Sequence, residues 1–89
     1  MFFVYMLRTS KNTLYIGQTN NLEKRLIEHQ TKSPKAAKYT RSFHSVELVY
    51  SEEYPTRKEA IQREWQLKKW SKKKKEVLIK NHKALLNSS

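Results

Sequence analysis

Glu64 is a carboxylate at the edge of an apolar stripe in a strongly basic chain. It lies within Thr56–Trp70, a segment that reads as an amphipathic helix. Ile61, Glu64, Trp65 and Lys68 share one broad side of that helix, because residues three and four apart are neighbours. One reason for an acid there is to hold a metal ion beside a nucleic-acid backbone. The simpler reason is an i,i+4 pair with Lys68, worth about 0.2–0.5 kcal/mol. Arg25 and His29 stand four apart, on one face of an earlier helix. A guanidinium is a rigid fork of donors suited to phosphate, and an imidazole changes protonation near neutral pH. On spacing alone they equally describe a solvated helix flank. Tyr5 and Tyr15 fall in adjacent strands that a hairpin could bring together, although a strand tyrosine is usually a packing residue. Asn81 is a candidate site residue or a helix C-cap.

The elements that must position these groups follow from pattern. Residues 2–8 are almost all apolar or aromatic, as in a buried strand, with Phe3, Tyr5 and Leu7 on one face and Phe2, Val4 and Met6 on the other. Thr9–Asn12 is turn-prone, and Thr13–Gly17 is β-rich, so an antiparallel hairpin is expected. Gly17–Asn21 breaks that strand and leads into a helix capped by Asn20 or Asn21. Leu22 and Leu26, with Ile27 as a third candidate, give it an apolar face to about Gln30. Ser33-Pro34-Lys35 ends it, and residues 35–43 read as a surface loop. Val46–Tyr50 is the third strand, and Ser51–Pro55 leads out of it. Thr56 with Glu59 forms a capping box that opens the next helix. Ala60, Ile61, Trp65 and Leu67 supply its apolar contacts. A kink near Trp70-Ser71 starts a third helix, which carries Val77, Leu78 and Ile79 and runs to about Asn81. The expected order is β-β-α-β-α-α, an α+β domain over residues 1–82 with a tail at 83–89. Three strands form one sheet whose apolar side the helices cover.

The 89 residues include 19 Lys plus Arg against eight Glu and no Asp, a net charge of +11. The balance is +3 over residues 1–56 (eight basic, five acidic) and +8 over residues 57–89 (eleven basic, three acidic). Such a field attracts polyanions, and each phosphate neutralised releases counterions. Nucleic acid is therefore the expected partner, ahead of a membrane surface. Lys72-Lys73-Lys74-Lys75, with Lys11, Lys24 and Lys68, are candidate backbone contacts; such contacts position a substrate without reading its sequence. Cysteine is absent, which excludes disulfides and thiolate zinc sites. His29, His44 and His82 are far apart, and Gly17 is the sole glycine, so zinc-finger, Walker and Rossmann patterns are missing. No apolar run is long enough to span a bilayer. Met1–Leu7 reads as a strand and not as a signal peptide, which gives a cytoplasmic expectation.

Phe3-Val4-Tyr5, then Tyr15-Ile16-Gly17, then Arg25 and His29, then Glu64 form an ordered set that resembles the GIY-YIG nuclease superfamily, in particular its small single-domain members. The resemblance spans roughly residues 1–82. Phe3 stands where the name-giving motif begins with glycine, and Gly17 is retained as its structural glycine. The resemblance implies a three-stranded antiparallel sheet flanked by helices. It also implies catalytic roles for Tyr5, Tyr15, Arg25, His29, Glu64 and, less directly, Asn81. Glu64 would hold one Mg²⁺ or Mn²⁺. The implied activity is metal-dependent endonucleolytic hydrolysis of DNA, with RNA as another substrate. It would be directed by structure or damage, as in DNA repair, because so short a chain has no room for an added DNA-recognition domain. Tyr5, Tyr15 and His29 all stay open as the general base. The alternative is a binding module of the same fold with little catalysis, and a monomer is the default state, with a dimer also open.

Overall fold

A computed structural model of the protein describes residues 1–31 and 43–87, with side chains through His82. Three strands and three helices follow the expected order: β1 (Phe2–Thr9), β2 (Leu14–Thr19), α1 (Leu22–Gln30), β3 (Val46–Tyr54), α2 (Arg57–Lys68) and α3 (Lys72–Asn87). The sheet order is β2-β1-β3, antiparallel throughout.

The central position of β1 explains its near-continuous apolar run, because a strand covered on both sides has no solvent face to make polar. Val4 and Met6 point into a core with Ile16, Tyr50, Ala60, Leu67 and Ile79. Tyr5 and Leu7 point the other way and join Val46, with Tyr15, Leu22, Leu26 and Leu48 packed around them. Thus α1 covers one face and α2 with α3 the other, where the sequence pattern suggested a single covered side. A bulge in β3 reconciles its residues with this division. Met6 pairs with Tyr50 and Leu7 with Leu48, so Val49 is extra. One inserted residue shifts the alternation. Val46 and Leu48 therefore serve the α1 side, and Tyr50 and Tyr54 the other.

Local polar chemistry sets the element ends. Asn21 accepts from Lys24 N at 3.1 Å and caps α1. Thr56 accepts from Glu59 N at 3.3 Å and caps α2 as expected. Ser71 does the same for α3 through Lys74 N at 3.2 Å. In the β1–β2 turn Asn12 adopts φ 61°, a left-handed conformation that asparagine tolerates. That turn is tied to α3. Arg8 donates to Glu76 through both terminal nitrogens at 2.6 and 2.7 Å, and Lys72 donates to the Asn12 carbonyl at 2.6 Å.

Several boundaries differ from expectation. Gly17 does not end β2; it pairs with Tyr5, and the strand continues to Thr19. β3 continues through Tyr54 because Phe2 and Phe3 supply pairing partners for Tyr54 and Glu53. α2 stops at Lys68, and α3 passes Asn81 and runs to Asn87, so Asn81 is no C-cap. Ile27, Trp65 and Val77 are exposed instead of packed, because the buried arcs of their helices belong to His29, to Ala60 and Leu67, and to Ile79. The expected helix end at Ser33–Lys35 and all of the loop but Phe43 lie outside the described residues.

The α2 side of the sheet holds a closed polar network. Glu52 accepts from the hydroxyls of Tyr50 and Tyr54 and from Arg63 Nε at 2.9 Å and Nη2 at 3.1 Å. Arg63 also lies over the Trp70 ring, 5.1 Å from its centroid. Burial alone would raise the Glu52 pKa, but Arg63 and the two phenols outweigh it and hold the carboxyl below the usual range. Burial and the Glu52 charge push Tyr54 up to about 12. Removing one partner strands a charge that has little access to water. Arg63→Ala is therefore expected to destabilise the fold by roughly 1.5–3 kcal/mol, the worth of charge-assisted hydrogen bonds. Urea unfolding would measure it, and Arg63→Ala combined with Glu52→Gln should recover part of the loss.

Candidate functional site

The site forms where Tyr5 crosses over Gly17. The two residues are direct cross-strand partners, and their side chains would occupy the same face. A Cβ on residue 17 would lie 2.6 Å from the Tyr5 hydroxyl and 2.7 Å from Cζ. Glycine is needed here for space; its φ is not positive. The ring therefore lies across β2 toward the sheet's edge. There its Oη is 3.1 Å from Nε2 of His29, which α1 brings over from its own face. Tyr15, Tyr5 and His29 pack as a triangle of rings, with centroids 6.4, 6.0 and 5.5 Å apart.

The ionisable groups around this triangle order its protons. Tyr5 is 2% exposed and His29 1%. Burial pushes the Tyr5 hydroxyl up to about 12; Arg25, which hydrogen-bonds it, pulls down, and the charges of Tyr15 and Glu64 push up. Tyr5 is thus a protonated phenol at neutral pH. Burial, then the neighbouring Arg25 charge, lowers the His29 pKa below the usual imidazole value of 6.5. The ring is neutral at pH 7, so one of its nitrogens acts as an acceptor. These directions agree on one arrangement: Arg25 donates to the Tyr5 oxygen, and Tyr5 donates to Nε2 of His29. Arg25 also pairs with Glu28 at 3.2 Å, an i,i+3 partner visible in the sequence but not singled out there.

Glu64 approaches from α2. Its side chain is 14% exposed, and its Oε2 pairs with Lys68 Nζ at 2.9 Å, while Lys68 itself is 53% exposed. The simple i,i+4 pairing is therefore present, and Glu64 still lies near enough for its charge to bear on Tyr5. Beside β2 a groove of about 350 Å³ is lined by Leu14, Tyr15, Ile16, Lys68 and Lys75. Of the other basic candidates, Lys11, Lys24 and Lys73 are exposed. Lys72 is turned onto the hairpin, and Lys74 sits 4.1 Å above the Trp70 ring. Asn81 is exposed on α3, next to His82, which packs edge-on against Tyr50; no described hydrogen bond ties Asn81 to the tyrosine–histidine triangle. The structure thus brings Tyr5, Tyr15, Arg25 and His29 to one edge of the sheet, sets Glu64 near enough for its charge to reach Tyr5, and draws Lys68 and Lys75 to the groove there. Among the described residues no group of three or more His, Cys, Asp or Glu could hold a metal ion.

Two outcomes test this geometry. Gly17→Ala should displace the Tyr5 ring and break its bond to His29, seen as a shifted His29 ring resonance by NMR in a protein that remains folded. His29 should make stability depend on pH. Its folded pKa is below that of the exposed ring, so the unfolded chain takes up the proton first as pH falls. The contribution is complete above about pH 6.5 and is lost as pH drops through the folded value. Urea midpoints should fall over that window and fall less in His29→Gln.

Comparison with known proteins agrees with the geometry. Residues 1–77 match the GIY-YIG catalytic domain family. A UPF0213 protein of Bacillus pumilus is 46% identical over 77 residues, covering 86% of this chain and 76% of the relative. One from Natronomonas pharaonis is 43% identical over 77 residues, covering 86% and 88%. The solution NMR structure of a UPF0213 protein from Bacillus halodurans superposes with a TM-score of 0.57 at 34% identity, covering 90% of this chain and 84% of that one. With a shared fold, the family match over most of its length and the tyrosine–glycine crossing at its edge, this chain belongs to the GIY-YIG superfamily.

Proposed function

We propose that the domain grips the phosphodiester backbone of a nucleic acid, DNA in the first instance, in the basic groove beside β2. We further propose that it hydrolyses that backbone at the cluster of Tyr5, Tyr15, Arg25, His29 and Glu64 with one Mg²⁺ or Mn²⁺. One observation carries this reading. Tyr5, Tyr15, Arg25 and His29 meet at one sheet edge, with Glu64 near enough for its charge to reach Tyr5, in a chain with a net charge of +11. No described helix is long and apolar enough to cross a membrane.

The donor set sets limits on the metal. Glu64 is a single carboxylate. Magnesium keeps several waters and takes one or two carboxylates plus substrate phosphate oxygens, so the residues present fit a loosely held hydrated ion and not a protein-made cage. Lys68 does not bar it. Surface i,i+4 pairs are worth about 0.3–0.5 kcal/mol, and the exposed Lys68 end of this one is readily exchanged. When bound, the ion would supply Lewis-acid neutralisation of phosphate charge. The chain's own residues do the rest. Arg25 is placed to meet non-bridging oxygens through its fork of donors. Tyr5 is too buried to touch substrate and too weak an acid to be a base; it positions Arg25 against neutral His29. Tyr15 lines the open groove and is the tyrosine that can orient an attacking water. Lys68 and Lys75 hold the backbone without reading bases, which suits recognition by shape or damage. Asn81 stays a lesser candidate, to be approached by substrate or by movement of α3.

The binding half of this reading is better supported than the cleavage half. The lack of a three-ligand group among the described residues, together with the Glu64–Lys68 pair, favours a second reading: a nucleic-acid-binding module on the nuclease scaffold with little catalysis. A panel of structured DNAs and RNAs incubated with Mg²⁺, Mn²⁺ or EDTA separates the two. The nuclease reading expects metal-dependent products. It expects Glu64→Ala and Arg25→Ala each to lose about 10²–10³-fold in rate, the scale of removing a transition-state electrostatic partner. Salt-sensitive binding with no product under any metal would leave the binding module standing. Full activity in both variants would sink the site assignment.

A further inference from the structure

Trp65 follows Glu64 directly in α2 and is 62% exposed. A tryptophan so open to water is unusual in a protein with a core this small, and it contrasts with Trp70. That ring is half-buried, with Arg63 and Lys74 over it at 5.1 and 4.1 Å. Among the described residues no cation and no other ring covers Trp65. Its neighbours follow from the turn of about 100° per residue. Advancing around α2 from Glu64, away from buried Ala60 and Leu67, the arc meets Lys68, Ile61, Trp65, Lys58 and Lys69. Lys58, Lys68 and Lys69 are all exposed. The open indole is thus flanked by three ammonium groups on the side of the helix that adjoins the candidate carboxylate.

From this placement we propose that Trp65 is a stacking platform for an unpaired nucleobase next to the phosphate held at the Glu64 edge. Every base has a π-face, so an exposed indole accepts any of the four, while lysines beside it follow the backbone; this pairing of ring and charge is how single strands are held. A fully paired duplex keeps its bases stacked on one another and has none to offer. The proposal rests on the nucleic-acid reading above and deepens it: the preferred substrate class is a strand with at least one unstacked base, such as a single strand, a bulge or a flap. A second copy of the chain could also cover an open tryptophan, but +11 on each copy makes that pairing repulsive.

The test measures binding in EDTA, so it does not depend on cleavage. The probes are a short oligothymidine, a perfectly paired duplex and the same duplex with an unpaired bulge. Trp65→Ala is expected to weaken binding to the oligothymidine and the bulged duplex by roughly 5- to 150-fold, from about 1–3 kcal/mol per stacked base. Affinity for the paired duplex should be unchanged, and Trp65→Phe should restore most of the loss. In a Trp70→Phe background, the remaining indole fluorescence should be quenched by oligothymidine. Trp70→Phe protein that binds the probes but shows no quenching, or a Trp65→Ala variant that weakens all three equally or none, overturns the stacking site and leaves the proposed function in place. Wild-type protein that binds no probe overturns both. Self-association lost in Trp65→Ala would assign the face to a second copy and overturn the proposal.

Discussion

The organisation of this domain depends on one steric exchange, in which residue 17 gives up its side chain and Tyr5 takes the space. The tyrosine sits on the central strand, in the α1-side core. With a bare backbone opposite, its hydroxyl crosses the neighbouring strand and comes within 3.1 Å of His29. That contact fixes the orientation of α1 on the sheet and sets where Arg25 stands. It also keeps two polar rings satisfied in a place almost without water, where an unpaired hydroxyl or imidazole would cost about 1–3 kcal/mol. The sequence motif is therefore first a packing rule. A tyrosine on the central strand and a glycine on the edge strand must be in register, and Tyr5 and Gly17 are.

The sequence showed the strand and helix order and the basic half because these rest on local periodicity and composition. The cap at Thr56 was legible for the same reason, as was that of α1, narrowed to Asn20 or Asn21. What stayed hidden was non-local. Gly17 read as a strand breaker because its partner across the strand, and the ring it admits, are twelve residues away. The bulge at Val49 left no mark in the residues themselves, since only pairing with β1 reveals that Val49 is extra. Trp65 read as core because hydrophobicity cannot say which of two apolar arcs on a helix finds the sheet. The five candidate site residues were singled out by their resemblance to a family. Spacing alone left Arg25 and His29 as a solvated flank, and burial of His29 to 1% is what removes that reading.

Charge placement tells a related story. Four lysines occupy the start of α3, where the helix macrodipole favours acids, and its first turn carries none. The fold accepts this cost and offsets part of it. Lys72 is engaged with the hairpin carbonyl, Lys74 rests on Trp70, and the forked Arg8–Glu76 pair brings the nearest acid to the junction. Lys75 turns to the groove with Tyr15 and Lys68. The polybasic run is thus divided between holding α3 to the sheet and facing a ligand, a division its uniform sequence does not display.

The same field bears on how a single carboxylate could serve a metal-dependent reaction. A chain of net charge +11 repels a free dication, and Glu64 spends its own charge on Lys68. A phosphate backbone in the groove reverses both conditions. It neutralises the lysines, offers Lys68 another partner, and adds oxygen ligands beside the carboxylate. On the proposed reading, metal and nucleic acid therefore favour each other's binding, and by linkage the coupling is equal in both directions. A site built this way needs no cage of acids, and it keeps the cation from being held where no substrate is present. The lack of a three-ligand group among the described residues is compatible with such coupling, and it is equally what a pure binding module would show. The product of the reaction, more than any static feature of the site, separates the two.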